Sequence, residues 1–155
     1  MRHVAAKTLE FTKEGFTDLY IFSASNLPAT VGGAPVNDFS VGFNAQSLVC
    51  TALAVGDCVL GALVDVKTAI VGPTGTPTGQ VKTSSGGVAI TPAVSVVATG
   101  GCVTNNTVVG ATICATAENL VLVTAAGGGD SAAATAGEIW VWAKISRAGR
   151  FNIQA

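Results

Sequence analysis

Residues 57–71 read Asp-Cys-Val-Leu-Gly-Ala-Leu-Val-Asp-Val-Lys-Thr-Ala-Ile-Val, and their alternation is the clearest indication of the fold class. Successive side chains of a strand point to opposite faces of its sheet, so a period of two indicates a strand. The even positions make one nearly apolar face: Cys58, Leu60, Ala62, Val64, Val66, Thr68 and Ile70. The odd positions carry Asp57, Leu63, Asp65 and Lys67. The pattern predicts a half-buried antiparallel strand, bent at Gly61.

The rest of the chain is also dominated by alternating and β-branched runs, which Gly, Pro and Asn clusters separate. Val and Thr lose side-chain freedom in helices and pack well on a pleated sheet, and no convincing helical pattern is present. Further strands are predicted at Val4–Thr12, Phe16–Ala24, Asp38–Phe43, Ser47–Ala54, Gln80–Ser84, Val94–Thr99, Thr107–Thr116, Asn119–Ala125 and Glu138–Ser146. The expected fold is all-β, an antiparallel β-sandwich that is jelly-roll-like.

The N-terminal third differs in composition from the remainder. Residues 1–24 hold six charged residues and two aromatic clusters, Phe11/Phe16 and Tyr20/Phe22, and residues 25–37 are rich in turn formers. We expect an extended N-terminal arm or hairpin at residues 1–37, reaching outside a sandwich domain at residues 38–146. Residues 147–155 are expected to form a C-terminal tail, whose apolar side chains dock on another surface.

Charged residues are scarce, at 11% of the chain against about 25% in typical soluble domains. The segment from Thr83 to Ala117 carries none, and the mean hydropathy is +0.56. A surface without charge resists self-association poorly, so the composition points to a protein that packs against copies of itself or a larger shell. The formal net charge of −1 argues against nucleic acid as a partner.

A membrane or export role is not expected. The richest apolar run, 55–71, is interrupted by three charged residues, and a spanning helix needs about 20 apolar residues. The first residues do not resemble a secretory signal, so we expect a protein made and used in the cytoplasm.

The four cysteines, at positions 50, 58, 102 and 114, match no zinc or redox spacing. One interpretation is that they are small buried hydrophobic residues kept reduced. The other is that Cys50 and Cys58, which flank a turn near Gly56, meet across a hairpin.

Catalytic and cofactor sites are not indicated. Nucleophilic catalysis needs a base held beside the nucleophile, but the single histidine, His3, lies in a terminal segment. Paired catalytic carboxylates must lie about 5 to 9.5 Å apart, whereas Asp57 and Asp65 would lie about 26 Å apart along one strand. The glycine-rich loop at 72–79 lacks the Lys-Ser/Thr ending of a phosphate-binding loop. Asp130 alone is weak evidence for a calcium site. We therefore predict no enzyme activity, no cofactor, no metal and no small-molecule substrate.

The last predicted strand, Glu138–Ser146, carries two tryptophans on one face. Its aliphatic side chains, at 139, 141, 143 and 145, should point into the core, so Trp140 and Trp142 share the opposite face. Three explanations are open: a subunit interface, a sugar-stacking platform, or cover by another part of the same chain.

The order of features resembles the small jelly-roll decoration or cement proteins of tailed bacteriophage heads, over residues 47–146. The resemblance comes from a Gly-Asp turn entering a long strand, a charge-poor meander, and a final strand. The residues that carry it are Gly56, Asp57, Val59, Leu60, Val64, Val66, Thr68, Ala69, Ala136, Gly137, Glu138, Ile139, Val141 and Ala143. It implies a homotrimer on the outer capsid surface of the virion, clamping neighbouring major capsid subunits.

The function predicted from these features is that of a structural virion protein. The expected interface residues are Trp140, Trp142, Phe11, Phe16, Tyr20, Phe22, Phe151 and Ile153. Two alternatives stay open: a carbohydrate-binding or head-fibre module that uses both tryptophans, and a structural component of the phage tail or neck.

Overall fold

The computed structural model describes residues 2–5, 16–23, 47–73, 75–84, 87–97, 112–125 and 134–149. In this part of the chain all regular structure is strand. The strands are β1 Arg2–Ala5, β2 Asp18–Ser23, β3 Ser47–Leu53, β4 Cys58–Val71, β5 Thr78–Thr83, β6 Val94–Ser95, β7 Thr112–Ile113, β8 Glu118–Ala125 and β9 Ala136–Ser146. Within the described ranges, no helical segment has the length and hydropathy of a membrane span.

Two antiparallel sheets face each other, which confirms the predicted all-β sandwich. Sheet A has the order β1-β2-β9-β4-β7, and sheet B has the order β3-β8-β5-β6. Most predicted strands lie within a few residues of the observed ones. Of the strand predicted at 107–116, residues 112–116 are described, and within them the observed strand is Thr112–Ile113. The strand predicted at 38–43 lies outside the described residues.

The pairing of the strands is nested. β2 pairs with β9, β3 with β8, β4 with β7, and β5 with β6, so the second half of the chain runs back along the first. The nested pairs form one long hairpin, which folds over so that β9 also pairs with β4, and β8 with β5. Nested pairing of eight strands in two four-stranded sheets is the jelly-roll order, and β1 adds a fifth strand to the edge of sheet A.

The core lies between the two sheets, and the described residues that form it are mainly aliphatic, with the two aromatic residues Tyr20 and Phe22. Sheet A supplies Tyr20, Phe22, Val59, Val64, Val66, Ile139, Val141 and Ala143, and sheet B supplies Leu48, Leu53, Val81, Leu120 and Leu122. The prediction that the aliphatic face of β9 points inward is confirmed, since Ile139, Val141 and Ala143 have no exposed surface. Burial raises the pKa of the Tyr20 hydroxyl well above its ordinary value.

The face of β4 that points to the core changes along the strand. The pairing with β9 shifts between Val59 and Gly61, which is the bend predicted at Gly61. Beyond the shift Ala62, Val64, Val66 and Ile70 face inward, as predicted, but Thr68 is exposed, where the pairing shifts again. Before the shift at Gly61 the odd position Val59 is buried and Leu60 is 37% exposed. The predicted core positions of Cys58 and Leu60 were therefore wrong, because one extra residue reverses the faces.

The N-terminal residues contribute a strand to the sandwich. β1 and β2 pair as a hairpin, but β2 also pairs along its whole length with β9, and Tyr20 and Phe22 reach the core. An arm outside the sandwich does not describe residues 18–23, because the edge of β9 needs a hydrogen-bonding partner. Residues 24–37 lie outside the described part of the chain.

Cys50, Cys58 and Cys114 carry free thiols. The proposed hairpin bond between Cys50 and Cys58 is absent because Cys50 lies in β3 of sheet B and Cys58 in β4 of sheet A. Cys50 and Cys114 are buried, as the interpretation of small hydrophobic residues requires, and burial raises the pKa of both thiols. Cys58 is half-buried, and Cys102 lies outside the described residues.

Candidate interaction surfaces

The outer face of sheet A holds a second, small apolar cluster. Leu19 of β2 and Leu63 of β4 flank Trp142 of β9 in one row across the sheet. These three residues and Ile21 are at most 5% exposed, and Phe16 packs on Trp142 with their ring centroids 6.4 Å apart. Among the described residues the buried Nε1 of Trp142 has no hydrogen-bond partner, so this indole stabilises the cluster by packing.

Trp140 lies in the next row of the same face and is half-buried. Its Nε1 donates a hydrogen bond of 2.6 Å to Glu138 Oε1. Lys67 Nζ lies 4.8 Å from the centroid of the indole ring and forms an ion pair of 2.7 Å with Asp65, a residue that is 1% exposed. An ammonium group over the indole face is a cation–π contact.

This geometry bears on the three explanations for the tryptophans. Trp142 is covered within the single chain, which is the third explanation. A sugar-stacking platform needs an open indole face. Lys67 occupies one face of Trp140, and the ring of Trp142 packs against the ring of Trp140 with their centroids 6.0 Å apart. The geometry therefore does not favour a sugar platform built from both tryptophans.

The eight predicted interface residues fall into three groups. Phe16, Trp140 and Trp142 lie together on the outer face of sheet A. Tyr20 and Phe22 do not join them: their interface role is corrected, because alternate residues of β2 face opposite ways and these two fill the core. Phe11, Phe151 and Ile153 lie outside the described residues.

Sequence reasoning missed an exposed apolar surface at one end of the sandwich, here named the apolar end. It consists of the large side chains of Val55, Leu60 and Ile113, with the exposed alanines Ala52, Ala54, Ala117 and Ala148. Val55 is 61% exposed and Ile113 is 70% exposed. Exposed apolar residues grouped in this way mark an interaction surface more often than scattered ones do.

Backbone contacts hold the apolar end together. The Gly56 N–H, next to Val55, donates to the carbonyl of Cys114, and the Cys114 N–H donates to the carbonyl of Asp57. Ile113 pairs with Cys58 in the ladder between β7 and β4. Gly56 has a φ of +87°, which favours glycine, and a Cβ there would lie 3.2 Å from that of Ala148.

A buried ion pair lies under this surface. The carboxylate of Asp57, a residue 2% exposed, accepts hydrogen bonds from the backbone N–H groups of Ala54 (3.0 Å) and Ala148 (2.7 Å). Arg147 Nη1 donates to the same carboxylate at 3.0 Å and to the carbonyl of Ala52 at 2.9 Å. Asp57 thus joins the turn between β3 and β4 to the end of β9.

The pKa of Asp57 reflects this environment. Burial alone raises the pKa of a carboxyl group, but the hydrogen bonds from Ala54 and Ala148 and the charge of Arg147 outweigh it and lower the pKa below its ordinary value. The carboxylate is therefore ionised at neutral pH and neutralises Arg147.

The described residues contain no group of three or more His, Cys, Asp and Glu side chains placed to share a metal ion. Compared with family models, with curated proteins and with solved structures, the chain matches none.

Proposed function

We propose that this chain is a structural virion protein, a decoration or cement protein that assembles as a trimer on the outside of a capsid. There it stabilises contacts between major capsid subunits. The observation that carries the proposal is a jelly-roll sandwich whose apolar side chains are exposed together at one end.

The fold alone does not select this function, since jelly rolls occur in capsid proteins, lectins and cupins. The surfaces favour assembly over sugar recognition. Trp142 is buried beneath Phe16, and Lys67 occupies one face of the half-buried Trp140, whereas Val55 and Ile113 are open to solvent. Because a shell repeats each contact many times, a modest apolar contact becomes strong by avidity.

The test uses expanded capsids of the source particle that lack this chain. Purified protein is added, unbound chain is removed by sedimentation, and the bound copies are counted and located by cryo-electron microscopy. We expect saturable binding at threefold or quasi-threefold positions, and a higher temperature of capsid disruption.

Tail and neck assemblies of the same particle serve as the control. Binding there, with bare capsids left unoccupied, would assign the chain to the tail or neck. Failure to bind any part of the particle would remove the virion role altogether.

A further inference from the structure

We infer that the apolar end is the surface through which copies of this chain contact each other. The inference rests on the proposed function and adds the partner and the place of contact. The occupant of the surface is a second copy of this chain.

The large side chains of the apolar end are open to solvent. Among the described residues, the two most exposed large hydrophobic side chains are Ile113 and Val55, and both belong to this end. The next, Val71 at 54%, lies at the other end of β4, about 40 Å away at the usual rise of a strand. The alanines around Val55 let a partner approach the backbone closely, and interface cores are poor in charge.

The charges at the apolar end favour a second copy over a charged partner. Asp57 and Arg147 neutralise each other within the chain. Among the described residues, two of opposite sign border the surface: Glu118 opens β8 beside Ala117, and Lys144 lies opposite Gly61 on β4. The described part of the surface and its border therefore carries no net charge, so an identical copy meets no excess of like charge there.

Hydrogen bonds and an ion pair make the apolar end rigid. The turn that carries Val55 is hydrogen-bonded to Cys114, and Asp57 links this turn to Ala148 and Arg147. A surface ordered before binding loses less entropy when a partner docks, which favours association.

The size of the surface sets the expected strength. The largest apolar patch of a typical monomer is about 300–600 Å², whereas a stable interface buries about 800 Å² on each partner. We therefore expect weak, concentration-dependent association in solution, in the micromolar to millimolar range, which the repeated contacts of a shell strengthen.

The test is sedimentation velocity of the full chain over a wide range of concentration. Ile113→Lys and Val55→Lys place a charge in the contact and should weaken association at least tenfold. Val71→Lys is the matched control, since it adds the same charge at a similarly exposed valine, and it should associate as the wild type does. All three side chains are exposed, so thermal unfolding should show that each variant folds.

Salt gives a second readout. Because the contact is apolar, raising sodium chloride should leave association intact or strengthen it. A wild-type chain that stays monomeric at all concentrations overturns the inference. So does a Val71→Lys variant that loses association while Ile113→Lys retains it.

The two proposals fail separately. Capsid binding by a chain whose association ignores Ile113 and Val55 would overturn the contact surface and leave the virion role standing. Association that depends on these residues, in a chain that binds no part of the particle, would do the reverse.

Discussion

At Gly137 the backbone of β9 has a φ of +128° and passes unusually close to β4. A Cβ at this position would lie 2.8 Å from both the carbonyl oxygen of Ala69 and the Cα of Ile70. Two residues of β4, Ala69 and Ile70, lie between the pairs formed with Glu138 and Ala136, so the ladder is irregular here. Only glycine fits both the conformation and the space.

We expect Gly137→Ala to lower the free energy of unfolding by at least about 2 kcal/mol, because backbone atoms must shift. Gly87→Ala is the control: its φ is +60°, and a Cβ there meets nothing within 4 Å. Backbone strain alone should cost about 1–2 kcal/mol there, less than strain and steric clash together at Gly137. Urea unfolding measures both, and equal losses would contradict the close approach at Gly137.

Asp57 predicts a pH dependence of stability. Its folded pKa lies below the unfolded value of about 3.9, so its contribution is complete above that pH and is lost as the pH falls through the folded pKa. Asp57→Asn should cost about 1–3 kcal/mol at pH 7, because the ion pair with Arg147 is removed. Urea unfolding of both proteins should show this difference shrinking below about pH 4. A difference that persists undiminished at about pH 2 would exclude the carboxylate as its source.

Among the strands, β4 shows how one extra residue redirects side chains. Before the bulge Val59 faces the core, and beyond it Ala62, Val64 and Val66 do. The bulge leaves Leu60 on the outer face, where it joins the apolar end. A candidate contact residue therefore results from an irregularity in strand pairing.

Two substitutions distinguish this bulge from plain alternation. Val59→Ala should cost about 1.5–3 kcal/mol, since the side chain is fully buried, while Leu60→Ala should cost less than about 1 kcal/mol. Thermal or urea unfolding measures the two losses. Uninterrupted alternation along β4 predicts the reverse order, so a larger loss at Leu60 would rule out the bulge.

In the whole molecule, β2 joins the start of the chain to its end. It pairs with β9 along six residues, and Tyr20 and Phe22 fill the core between the sheets. The Thr17 hydroxyl adds a bond across 126 residues of sequence to the carbonyl of Ala143. The sandwich is thus closed by contacts between the two ends of the described chain.

Truncation tests this closure. A chain of residues 16–155 keeps β2 and should unfold cooperatively, because its core is intact. A chain of residues 24–155 loses β2, leaves the edge of β9 unpaired, and should aggregate or lose its cooperative transition. Circular dichroism with thermal unfolding compares them. Cooperative unfolding of the shorter chain would restore the view of residues 1–37 as a separate arm.

The sequence could predict those features that depend on neighbouring residues. Alternation in β9 correctly placed Ile139 and Val141 inside and Trp140 outside, because a strand turns successive side chains to opposite faces. Alternation could not predict that Trp142 is buried while Trp140 is half-buried, because the residue that covers Trp142 is Phe16, which is distant in sequence. The apolar end was missed since Val55, Leu60 and Ile113 come together only through the turn, the bulge and β7.

From the sequence alone it follows that the chain is all-β, that β4 and β9 are long strands, and that charge is scarce. These properties depend on composition and on the alternation of side chains, both of which can be recognised in a short stretch of sequence. Three features become visible only in the folded chain: β2 joins the sheet, Tyr20 and Phe22 enter the core, and Asp57 pairs with Arg147. Such choices depend on contacts between residues some 90 to 126 positions apart, which no local pattern encodes.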